Sequence, residues 1–136
     1  MVGFIAFRHL APAPYWVRAS QEYFPPYVQI ADSRPVVHGI PSLPTPNVMI
    51  YNSTTPVDVG DSADIEYLSL VKLSTTTHGL DTGQRFIKLT ESAPKTTTRM
   101  FVHTPKDGGI APPGDYMLFA VSYLGVPSVA KYVKIQ

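Results

Sequence analysis

Cysteine is absent from the 136-residue chain. Its absence removes disulfides, thiolate metal sites and cysteine nucleophiles from consideration. It assigns no compartment, because many secreted domains also lack cysteine. Charge is scarce as well: Asp, Glu, Lys and Arg make up 15% of residues and the net charge is +1. Such a chain has no basic field for nucleic acid and no acidic field for cationic partners, so no nucleic-acid partner is expected. Little charge beside 44% hydrophobic residues also speaks against disorder, which needs the opposite balance. No apolar run approaches the ~18 residues that would cross a bilayer, so no membrane span is expected. The opening "MVGFIAFRHL" is apolar but short, with Arg8 and His9 on the wrong side for a secretory signal.

Helix is the next thing missing. Fourteen prolines and nine glycines interrupt every stretch in which a 3.6-residue period could develop. Residues 1–22 form a Pro- and aromatic-rich extension, with "APAPYW" reading as extended or polyproline-like chain. Its apolar "GFIAF" needs a cover in water, so the extension is expected to lie outside the core, on an edge or a partner. Residues 23–136 form the second unit. Within it, strands are expected at 35–40, 48–51, 64–73, 85–89, 99–104, 115–122 and 129–135, each bounded by turn residues. About seven short strands and no internal repeat predict an all-β, Ig-like antiparallel β-sandwich. Leu70, Ile87, Phe101, Leu118, Val121 and Val133 are its expected core.

Residues able to carry chemistry are few. Four histidines (His9, His38, His78 and His103) show no structural zinc spacing. His38 and His103 fall within expected strands, where a hydrogen-bonded or exposed imidazole is the ordinary reading. Asp58, Asp61, Asp64 and Glu66 cluster at a turn without an EF-hand pattern, which reads as a solvated loop. No G-x-S-x-G elbow, Walker loop or H-E-x-x-H is present. Asn52-Ser53-Thr54 is an N-glycosylation sequon, usable if the chain is secreted. Composition and spacing end at a β-sandwich of unassigned function.

Longer motifs go further. "LVKLSTTTHGLDTGQRFIKL" (70–89), "APPGDYMLFAVSYLGVPSVAKYVKI" (111–135) and the entry "YFPPYVQIADSRPVV" (23–37) resemble the C-terminal, early-set domain of the galactose oxidase and glyoxal oxidase family of copper-radical oxidases. Thr-His-x-x-Asp-x-x-Gln-Arg occurs in the family's order and spacing. The resemblance implies an Ig-like sandwich docked on a seven-bladed kelch propeller, with a long hairpin reaching into the propeller's channel. It also implies that His78 is a copper ligand and that Thr77, Gln84 and Arg85 shape its loop. Neutral imidazole suits copper(II). The family's remaining ligands, two tyrosines and a histidine, and the cysteine cross-linked to one tyrosine, come from the propeller. None of these is provided by this chain's 136 residues. Copper is therefore expected only where a propeller domain or subunit completes the site; none is expected for the chain alone, which should be inactive. Two departures from the family are Gly79, which makes the loop more flexible, and Asp115, where an aromatic is common.

Three functional readings follow. In the first, this is the C-terminal module of an oxidase that converts an alcohol or aldehyde with reduction of O2 to H2O2. In the second, it is a non-catalytic sandwich for extracellular assembly or scaffolding, self-associating through the N-terminal segment by strand addition. The third, carbohydrate binding by exposed tyrosines and Trp16, has the least behind it. Whether the chain is part of an enzyme stays open, and an extracellular setting is the expectation.

Overall fold

The structure, a computed structural model, describes residues 25–26, 34–41 and 46–136. The expectations for the extension 1–22, with His9 and Trp16, lie outside the described residues. Eleven strands follow one another among those described: β1 (Val37–Gly39), β2 (Val48–Met49), β3 (Thr54–Val59), β4 (Ile65–Lys72), β5 (Thr76–Thr77), β6 (Leu80–Asp81), β7 (Phe86–Lys88), β8 (Thr90–Thr96), β9 (Arg99–His103), β10 (Gly114–Ser122) and β11 (Lys131–Ile135). They build a four-stranded sheet in the order β1-β3-β9-β8 and a five-stranded sheet in the order β2-β11-β10-β4-β7, with β5 and β6 paired by themselves. Neighbours are antiparallel throughout, except that β2 runs parallel to β11. This is the expected all-β sandwich, and each of the seven expected strands is present.

The core lies between the sheets. Val57 and Val59 of β3 and Met100 and Val102 of β9 meet Met49, Leu68, Leu70, Tyr116, Leu118, Ala120, Val133 and Ile135 from the other sheet. Strict alternation would put Ile65 and Leu68 on opposite faces of β4, yet both are buried. The reason is a β-bulge: Ser122 faces Ile65 while Val121 faces Tyr67, so one extra residue of β4 is absorbed at Glu66. Of the expected core, Leu70, Leu118, Val121 and Val133 are buried and Ile87 packs against the cluster. Phe101 is only half-buried. Met100 and Val102 take the inward positions of β9, and the pleat turns the residue between them outward.

Besides the two-residue strands β5 and β6, β3 and β8 escape a reading by pattern, and each of these contains a proline. Pro56 sits in β3 beyond the stretch covered by β1, which pairs only with Asp58 and Val59. A residue without an N–H is tolerated where a neighbouring strand is missing. Pro94 lies in β8, at the edge of its sheet.

One end of the sandwich is closed by two tyrosines. The Tyr51 hydroxyl donates to the Ala111 carbonyl at 2.5 Å and the Tyr116 hydroxyl to the Pro112 carbonyl at 2.7 Å. They pin the segment between β9 and β10 over the core. Burial pushes the Tyr116 phenol above its ordinary value; Tyr51 adds to the rise and Arg85 opposes it.

Two measurements test this fold. Leu118→Ala is expected to cost ~2–5 kcal/mol in denaturant unfolding. Leu124→Ala, at a side chain that is 89% exposed, should stay within ~0.5 kcal/mol; equal costs would refute the core assignment. Tyr116→Phe should cost ~0.5–1.5 kcal/mol at neutral pH through its lost hydrogen bond. Above about pH 10 the unfolded chain releases the Tyr116 proton that the folded chain keeps. The unfolded state then binds fewer protons, and stability falls as pH rises. Tyr116→Phe should flatten that fall in unfolding curves taken on either side of pH ~10.

Candidate functional site

β4 does not end at the sheet. Residues 73–84 leave it as a loop and return to β7, the strand that pairs with β4 from Ser69 opposite Lys88 to Val71 opposite Phe86. Backbone bonds close the base: Lys72 N–H donates to the Arg85 carbonyl at 2.9 Å and Leu73 N–H to the Asp115 carbonyl at 3.1 Å. Above it, Thr82 donates to the Thr75 carbonyl through both its N–H and its hydroxyl, each at 3.4 Å. Asp81 Oδ1 accepts from the Gly83 N–H at 3.0 Å. Gly83 itself is a close approach, since a Cβ there would lie 3.2 Å from Ser74 Cα and from Thr75 N. Larger residues would push the two arms apart.

The outer part is a ribbon in which Thr76 faces Asp81 and Thr77 faces Leu80. Two residues join the arms, His78 at φ +52° and Gly79 at φ +77°. Positive φ at both central positions is the type I′ arrangement, whose twist matches that of paired strands. Glycine adopts it freely, and histidine is among the few other residues enriched there. Gly79 therefore fixes a turn here, where the sequence suggested flexibility. His78 is exposed at the tip, and its Nδ1 lies 2.8 Å from the Thr77 hydroxyl. That contact occupies one ring nitrogen, and Nε2 makes no hydrogen bond among the described residues.

The other loop residues singled out lie lower. Gln84 and Arg85 are exposed at the hairpin base, lining with Lys72, Asp81, Phe86 and Met117 an open groove of about 560 Å³. Thr77 alone of the three makes a hydrogen bond to His78 among the described residues. His38 and His103 are exposed on β1 and β9. The carboxylates near residue 60 are dispersed: Asp58 binds Arg99 Nε at 2.5 Å, Asp61 accepts from Ala63 N–H, and Glu66 is 4.0 Å from Lys88. Among the described residues, no three His, Asp or Glu side chains gather in a way that could hold a metal ion. A metal held at His78 needs donors beyond the described residues.

Beside the hairpin lies a feature that no motif announced. Tyr132 faces Met117, Met117 faces Val71, and Val71 faces Phe86, so four apolar side chains run straight across four strands. The row spans about 14 Å, three strand spacings. Tyr132 and Phe86 at its ends are 63% and 62% exposed. Leu73 and Leu80 on the hairpin add further exposed apolar surface. The alternation of β4, β10 and β11 contained this row, but only their register shows that it is continuous. Asp115 lies beyond it, lining a second shallow groove with Tyr132 and Lys134.

The described residues thus form an Ig-like sandwich that projects an exposed histidine on a hairpin, with apolar surface at the hairpin's base. Residues 34–135 match the family described as "Galactose oxidase-like, Early set domain", and the chain belongs to that family. It is similar to an aldehyde oxidase (GLOX) of Vitis pseudoreticulata, with 48% identity over 63 residues, covering 43% of this chain and 12% of the relative. It is also similar to a galactose oxidase of Gibberella zeae, with 35% identity over 79 residues, covering 58% of this chain and 12% of the relative. A solved structure of a fungal alcohol oxidase in complex with copper superposes with a TM-score of 0.71 at 32% identity, covering 85% of this chain and 24% of that one. The chain thus matches about an eighth of the length of these curated relatives.

Gly79→Ala tests the turn. A Cβ at Gly79 meets nothing within 4 Å, so the cost is backbone strain alone, ~1–2 kcal/mol. It should fall on the ribbon: amide exchange at residues 76–81 should accelerate while β4 and β10 stay protected. Acceleration throughout the five-stranded sheet would contradict an independent tip.

Proposed function

We propose that this chain is the early-set module of a copper-radical oxidase of the galactose and glyoxal oxidase type. Its task there is to deliver one imidazole, His78, to a copper site whose other ligands belong to a kelch propeller domain or subunit. The observation that carries this reading is the exposed His78 on a constrained two-residue turn, far out on a hairpin anchored between β4 and β7. A histidine serving its own domain would have no use for such a position. Thr77 suits the role of an orienting partner: a hydroxyl accepting from Nδ1–H holds the tautomer that leaves the Nε2 lone pair free for a metal. Gln84 and Arg85, at the hairpin base, shape the loop from below and do not touch the imidazole.

Copper, held jointly, supplies the redox chemistry by which a primary alcohol or an aldehyde is oxidised while O2 becomes H2O2. This chain's residues bind and orient. The apolar row of Tyr132, Met117, Val71 and Phe86 is the surface on which the propeller would rest, because burying it removes exposed hydrocarbon from water. Docking there also keeps the hairpin directed at its target. The family relationship and the Asn52 sequon favour a secreted protein.

The test uses copper and a matching propeller. The chain alone should bind copper(II) weakly and produce no peroxide from an alcohol or aldehyde, since one imidazole lacks the chelation of a full site. Mixed with the propeller it should bind copper tightly, and His78→Ala should remove most of that gain with the unfolding curve of the sandwich unchanged. Turnover by the chain alone, or tight copper binding by the His78→Ala complex, would refute the reading.

A further inference from the structure

We infer that Asn52 is an N-linked glycan site, displayed at a corner of the sandwich that stays open to solvent. The chain has two asparagines, and only Asn52 begins a sequon, with Ser53 at the middle position and Thr54 at the third. A sequon is a frequent accident, so the weight rests on how this one is held.

The turn before β3 is clamped without help from the Asn52 side chain. Thr104 Oγ1 donates toward the carbonyls of Ile50 and Ser53, at 2.6 and 3.0 Å, and accepts from the Ser53 N–H at 2.8 Å. Thr104 N–H returns to the Ser53 carbonyl at 2.9 Å, and the Ser53 hydroxyl donates to the Ile50 carbonyl at 2.7 Å. Asn52 N–H donates to the Pro105 carbonyl at 3.0 Å. The Asn52 amide, by contrast, makes no hydrogen bond among the described residues and is exposed, and Thr54 is exposed beside it. Its φ of +52° lifts it out of the strand direction, a conformation that asparagine tolerates better than most residues.

The consequence is physical. A glycan is bulky and hydrated and must finish in water. Folding this chain around a glycosylated Asn52 breaks no hydrogen bond and buries no sugar. Ile50, 53% exposed and two residues earlier, is the apolar surface such a glycan would shade. The turn shares an end of the sandwich with the His78 hairpin: Tyr51 N–H bonds the Gln136 carbonyl, Ile135 faces Gly114, and Tyr116 faces Lys72, where β4 runs out. Asn52 joins β2, one edge of the five-stranded sheet, to β3 of the four-stranded sheet, whereas the hairpin rises between β4 and β7 at the other edge of the five-stranded sheet.

The full chain, expressed behind a secretory leader in a eukaryotic host, should leave the cell mainly as a species heavier by one N-glycan. Peptide N-glycosidase in 18O water should remove that mass and leave a labelled aspartate at position 52. Thr54→Ala should abolish the shift and Thr54→Ser should keep it, both with Asn52 in place, so the result does not depend on whether Asn52→Gln tolerates the positive φ. Glycosylated and enzymatically stripped chains should melt at the same temperature. Secreted, folded chain whose intact mass is mainly that of the bare polypeptide would overturn the inference. So would a glycosylated chain that melts clearly below the stripped one, since the corner would then not be free.

Discussion

Seven residue pairs hold β4 against β10, from Lys72 opposite Tyr116 to Ile65 opposite Ser122, and most else in the molecule takes its position from them. Their inward side chains supply Leu68, Leu70, Tyr116, Leu118 and Ala120 to the core. Their outward side chains supply Val71 and Met117, the middle of the apolar row. Where the pairing ends, β4 continues as the rising arm of the His78 hairpin, held by the bond from Leu73 N–H to the β10 residue Asp115. An isolated ribbon with two residues per strand has no stability of its own in water. The direction of the imidazole is thus set by buried hydrocarbon well below it.

This arrangement separates two demands that conflict in many sites. On the proposed role, an imidazole meant for another body must be exposed and slightly strained, and such features weaken a fold when they sit inside it. Here the cost of a positive φ at His78 falls on a tip that contributes nothing to the core. The sandwich pays none of it. The exposed hydrocarbon of Leu80, Phe86 and Tyr132 follows the same division, remaining outside a core that is complete without it.

Much of the fold was legible in the sequence because β4, β7, β9, β10 and β11 combine β-branched or aromatic residues with clear boundaries. β3 and β8 were not, since "TTPVDV" and "TESAPKT" carry prolines and few apolar residues; the neighbouring strands, not local propensity, make them strands. The inward position of Phe101 was misjudged for a related reason. Met100, Phe101 and Val102 are all apolar, so hydrophobicity alone does not choose the phase, and the pairing with β3 does. The site divides in the same way. His78 and Thr77 were found only because a longer motif resembled a known family, as one imidazole in a Thr-rich loop has no pattern of its own. The apolar row depends on register across four strands, which no single stretch of sequence contains.

The two-residue turn also converts length into reach. Along a paired ribbon each residue advances ~3.3 Å, and successive side chains point to opposite faces. Adding one residue pair to both arms, β5 and β6 together, would carry His78 a single step outward and reverse its face; adding two pairs would carry it ~6.6 Å and restore the face. The hairpin is therefore a ruler with discrete marks. On the proposed role, a deeper receiving cavity could not be served by stretching this loop, only by lengthening it in even steps, so hairpin length and cavity depth would have to change together.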